Sequence, residues 1–109
     1  MITIPIKPLS VNEAWQGRRF RSDKYKKYAR DIGLLLPPRI LIPNGNLQVF
    51  YEFYFSNDKA DYDNPMKPLQ DIICVKYQIN DKRIYRATVD KYIVSKGKEK
   101  IVFRIEEWK

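Results

Sequence analysis

The sequence predicts a single α/β domain of α+β character, a mixed β-sheet with two main helices in the order β-α-β-α-β-β. Three observations predict it. A chain of 109 residues suits one domain, here residues 1–109. Residues 47–55 alternate strictly between two faces, the period of a half-buried strand. Two stretches, one after Ser22 and one after Asn64, space apolar residues three and four apart, the period of a helix with one buried stripe.

Each element has its own reason. Ile2, Ile4 and Ile6 share one face and Thr3 and Pro5 the other, a short strand near a sheet edge, because proline cannot donate a ladder hydrogen bond. Pro8, Ser10 and Asn12 mark a loop. Ser22 is an N-cap, and Tyr25, Tyr28, Ala29, Ile32, Leu35 and Leu36 follow it at helical spacing until Pro37 and Pro38 end the helix. Pro43, Asn44 and Gly45 form a turn. The central strand sets Leu47, Val49, Tyr51, Phe53 and Phe55 against Gln48, Phe50, Glu52 and Tyr54. A polar loop over 56–60 leads to Asp61. Asn64 then caps a second helix with Pro65 at its first position, Met66, Leu69, Ile72 and Ile73 along its stripe, and an end near Gln78. Residues 84–94 and 100–105 read as two strands joined by the Ser95-Lys96-Gly97-Lys98 turn.

Composition narrows the function. Lys and Arg number 21 against 13 Asp and Glu, a net charge of +8 that attracts polyanions, nucleic acid first among them. The basic residues cluster in Arg18, Arg19, Arg21, Lys24, Lys26 and Lys27, and again in Lys82 and Arg83, with Arg86, Lys96 and Lys98 beyond. Such residues would contact the phosphate backbone, giving affinity but little sequence choice. The single cysteine, Cys74, allows no internal disulfide, and no long apolar run crosses a membrane, so a cytoplasmic protein is expected. There is no histidine, which removes the commonest general base and the commonest zinc ligand. Hydrolytic chemistry would have to rest on carboxylates, lysine and a hard metal ion.

Carboxylates at the right spacing are present. In an extended segment Asp61 and Asp63, two apart, point the same way and repel unless a cation lies between them. Magnesium is suited to that place, since it takes one or two carboxylates plus waters and substrate phosphate. Taken alone, the same residues also fit a surface loop whose aspartates cap the next helix. Lys67 and Asp71 stand at i and i+4 on one helix face. A lysine in the first turn opposes the helix dipole, a local cost often accepted where a cation has work to do at phosphate; an ordinary exposed ion pair fits equally well. Asp81 follows the helix. Within one chain it would lie some 20 Å from the Asp61–Asp63 pair at about 1.5 Å per residue, unless the chain folds back or a second copy supplies it.

Together these residues resemble a known signature. Asp61-Tyr62-Asp63-Asn64, Lys67 and Asp71, followed by Asn80-Asp81, are similar to the D-x-D-N-x-x-K-x-x-x-D motif and later acidic pair of RusA-type Holliday junction resolvases. The first acid of that pair is Asn80 here. The opening strand and the Pro8-Leu9-Ser10-Val11-Asn12 loop resemble the start of that family. The resemblance implies a magnesium-dependent, structure-selective endodeoxyribonuclease, with manganese as a substitute ion. Such an enzyme resolves four-way DNA junctions by paired symmetric nicks in recombination and repair. It implies that Asp61, Asp63 and Asp81 bind the metal, that Lys67 acts with them in catalysis, and that Asn64 and Asp71 support them. Two symmetric nicks from a chain with room for one site require a two-fold homodimer. The competing expectation is a non-catalytic module for single-stranded nucleic acid, built on the aromatic strand 47–55 and its basic loops; a small ribonuclease is a third.

Overall fold

The computed structural model describes residues 1–9, 15–16 and 20–109, with only the backbone of 15, 16, 20 and 21. Its elements are β1 (Ile2–Ile4), β2 (Trp15–Gln16), β3 (Phe20–Arg21), α1 (Asp23–Leu35), β4 (Leu47–Phe55), α2 (Met66–Tyr77), a 3-10 turn (Asp81–Arg83), β5 (Ile84–Ile93) and β6 (Lys100–Glu107). The predicted order and the mixed α+β sheet are both present. The short β2–β3 pair is additional, with Trp15 opposite Arg21 and Gln16 opposite Phe20.

The four-stranded sheet has the order β1-β6-β4-β5. β1 lies at one edge, where Pro5 is tolerated. β4 pairs antiparallel with β6 and parallel with β5. The turn at 95–98 therefore joins two strands that are not neighbours in the sheet. The turn itself forms, with Lys98 N–H bonded to Ser95 O at 3.0 Å and Gly97 at φ 93°. But α2 is the crossover that returns the chain to lay β5 parallel to β4, and β6 must then take the free edge on β4's other side. The 94–99 connection therefore spans the end of β4, held by Val94 N–H to Phe55 O at 2.7 Å and Ser56 Oγ–H to Glu99 at 2.9 Å.

The alternation of β4 is realised residue by residue. Leu47, Val49, Tyr51, Phe53 and Phe55 are buried. They form one core with Ile101 and Phe103 of β6, Tyr25, Tyr28 and Ile32 of α1, and Leu69, Ile72 and Ile73 of α2. The fold is thus two layers, helices on one face of the sheet. A buried hydroxyl needs a partner, and Tyr51 finds it by donating to Gln70 of α2 at 2.7 Å.

Helix α1 starts where the capping residue predicts: Ser22 Oγ accepts from Tyr25 N–H at 3.1 Å. Ser22→Ala should cost about 1 kcal/mol in chemical denaturation; a loss below about 0.3 kcal/mol would mean that water replaces the cap. The C-terminal ends of α1 and α2 adjoin. Lys76 donates to Gly33 O at 3.0 Å and Tyr77 to Pro37 O at 2.7 Å. The groove between the helices sets Tyr25, Ala29 and Gly33 against Ile72, Val75 and Lys76. The two helices therefore run in the same direction, and their N-terminal ends lie at one end of the molecule.

Helix α2 departs from its predicted start. Its N-cap is Pro65, not Asn64, and no side chain caps it. A turn over 62–65 intervenes, closed by Met66 N–H to Asp63 O at 3.2 Å, so the helix begins later than the cap signal suggested. It ends as expected at Gln78, which takes the left-handed conformation at φ 55°. Ile79 N–H bonds Cys74 O at 2.9 Å and Gln78 N–H bonds Val75 O at 3.4 Å, which makes a Schellman ending. This ending reverses the chain toward Asp81.

Candidate functional site

The loop after β4 carries Asp61 and Asp63 to the N-terminal end of α2. Both are exposed, and neither joins an ion pair among the described residues. The segment is a turn from Tyr62 onward rather than extended. The i, i+2 argument for a shared direction therefore does not apply to this pair. Asn64 takes a different role from the one its type suggested: its amide donates to Asp61 Oδ2 at 3.4 Å. Sequence reasoning missed what holds the loop. Lys91 of β5 donates to the backbone oxygens of Asp58, at 3.0 Å, and Ala60. No local signal links residues 31 and 33 apart, so only the parallel β4–β5 pairing reveals this anchor.

Lys67 and Asp71 meet as their i, i+4 spacing predicts, with Lys67 Nζ 3.0 Å from Asp71 Oδ1. That hydrogen bond raises the Lys67 pKa, partly offset by desolvation, and the charges of Asp71 and Asp81 add to it. Lys67 therefore stays protonated at neutral pH. The influence of Asp81 is informative. α2 covers about 18 Å at 1.5 Å per residue, yet the Schellman reversal returns Asp81 to within electrostatic reach of Lys67. Asp81 lines an open groove with Asp71, Cys74, Val75, Ile79 and Asn80. Burial, then the charges of Asp81 and Asp71, push the Cys74 thiol up, and the residue packs in the core.

The three predicted metal carboxylates are not gathered in one chain. Among the described residues no group of three or more His, Cys, Asp or Glu side chains is placed to hold a metal ion. The chain contributes two centres: the Asp61–Asp63 pair, and Lys67–Asp71 with Asp81 beside it. The first offers hard oxygen donors to solvent and suits a magnesium ion that keeps most of its waters. A three-carboxylate cage within the described part of one chain does not form.

The predicted DNA contacts divide. Arg18 and Arg19 lie outside the described residues, as does the side chain of Arg21. Lys24 and Lys27 are exposed near the start of α1, with Lys27 3.4 Å from Asp31. Because α1 and α2 run together, this basic end lies on the side of the Asp61–Asp63 turn. Lys82 is exposed at the other end of α2. Arg83 is already occupied: it donates to Gly45 O at 2.8 Å and to Pro43 O, clamping the turn before β4. These two bonds give Arg83 a structural role in addition to the phosphate contact expected of it. No helix among the described residues is long and apolar enough to cross a membrane. Neither a protein-family model nor a curated protein matches this chain.

Proposed function

We propose that this chain is a magnesium-dependent DNA endonuclease of the RusA type, acting in the cytoplasm as a homodimer that nicks four-way junctions in symmetric pairs. One observation carries the reading. An exposed aspartate pair stands at the N-terminal end of α2, and the first turn of that helix holds a lysine kept cationic by Asp71. Two carboxylates and a fixed ammonium near a basic helix end fit a phosphodiester better than any neutral substrate.

Asp61 and Asp63 would hold the magnesium ion, which supplies an activated water and charge neutralisation at phosphate. The chain's own residues do the rest. Lys67 faces the charge that grows on the phosphate. Asp71 is a positioning residue that fixes Lys67, and Asn64 orients Asp61. Asp81 adds negative charge near Lys67 and Asp71. Lys24, Lys27 and Lys82 draw in the backbone and make binding salt-dependent.

The test is nicking of a labelled four-way junction beside a linear duplex and single strands. Nicking should require magnesium, stop on chelation, resume on re-addition and favour the junction. Nicking that survives chelation would refute the metal assignment.

A further inference from the structure

The sheet ends on an unusual edge. β5 is the terminal strand, ten residues long, and its outer side pairs with no described strand. Exposed edges of this length invite pairing with another chain, and proteins blunt them with proline or with outward lysines. Ile84–Ile93 contains no proline. Its only lysine, Lys91, is turned back onto the oxygens of Asp58 and Ala60. Tyr85 and Tyr92 are 61% and 43% exposed, an apolar load that this edge carries into solvent.

The charges on β5 select a partner. Arg86, Thr88 and Asp90 share the face opposite the helices, since they stand beside Gln48, Phe50 and Glu52 of β4. Asp90 lies directly next to Glu52, two carboxylates side by side, and neither is in an ion pair among the described residues. The crowding of negative charge shows on Tyr54. Its hydrogen bond to Glu52, then burial and the nearby charges including Asp90, push the hydroxyl up to about 12. Arg104 lines the same pocket as Glu52 and Asp90 without an ion pair to either among the described residues, and Arg86 sits four residues from Asp90 on the same edge with the opposite sign.

We infer that β5 pairs antiparallel with β5 of a second copy about a two-fold axis at Thr88, so that Arg86 of each chain faces the partner's Asp90. The register is self-complementary: it forms two identical cross-strand Arg–Asp pairs and sets Ala87 against the partner's Val89. Opposite charges directly across an antiparallel pair stabilise it, and like charges oppose it. The axis keeps both helix layers on one side of a sheet that continues through both copies. The inference rests on the dimeric reading above and names its surface. It also sends the two Asp61–Asp63 turns, each beyond the Ile93 end of its strand, to opposite ends of the dimer.

Charge exchange tests it by sedimentation velocity. Arg86→Asp alone and Asp90→Arg alone should each weaken self-association at least about 100-fold, because each creates two like-charge contacts. The double variant R86D/D90R should dimerise again. Mixing the two single variants should give a heterodimer, since both cross-strand pairs are then of opposite sign. A variant that had merely misfolded would not be rescued in this way, so single variants that stay monomeric when mixed overturn the inference. A wild-type dimer whose association ignores these exchanges also overturns it while leaving the dimeric reading intact. A wild-type monomer at concentrations that saturate junction binding overturns both, and nicking by that monomer would show the nuclease reading to be separate.

Discussion

Asp63→Asn is expected to reduce junction nicking by at least about 1,000-fold, the several kcal/mol that a metal-holding carboxylate contributes at the transition state. The substitution keeps size and polarity and removes one charge. Asp63 is exposed, and no described side chain relies on its carboxylate. Its structural contribution is the backbone oxygen that accepts from Met66 at 3.2 Å, which asparagine retains. Thermal stability should therefore be unchanged, and junction binding should hold or tighten slightly as a negative charge leaves. Single-turnover nicking, circular dichroism and a binding titration check the three parts. Activity within about ten-fold of wild type would remove Asp63 from the catalytic centre.

The largest expected effect on stability lies in the core beneath that centre. Phe53 is fully buried in the middle of β4, and its ring stacks 5.7 Å from that of Tyr51. Phe53→Ala loses the transfer energy of the ring and leaves a cavity between sheet and helices, a cost of about 3–5 kcal/mol. Domains of this size are stable by about 5–15 kcal/mol in total, so the variant should unfold at a far lower urea concentration. A loss under about 1 kcal/mol would mean that the sheet and helices do not close over Phe53.

What the sequence made legible was what short-range physics determines. Strand β4 was readable to its end residues because alternation is a property of neighbours. Ser22 as a cap, Gln78 as the end of α2 and the Lys67–Asp71 pair follow from helix geometry within one or two turns. The misses are non-local. Nothing in 84–107 states that β4 will lie between the two strands, because that depends on where α2 delivers β5. The clamp of Arg83 on the carbonyls of 43 and 45 was not legible because those partners are distant in sequence. Asn64 had the chemistry of a cap, but the turn at 62–65 displaced the helix start past it. The return of Asp81 toward Lys67 needed the Schellman reversal, which shows only as a polar stretch in the sequence.

The most direct measurement is the position of the nicks. A four-way junction with each strand labelled in turn is incubated with the wild-type protein in magnesium. The proposed function requires nicks on two opposed strands at symmetry-related phosphates, none on the linear duplex or single strands, and none with Asp63→Asn although it still binds. Tight binding of the junction without cleavage in magnesium or manganese would contradict it, and would leave a nucleic-acid-binding module in place of a nuclease.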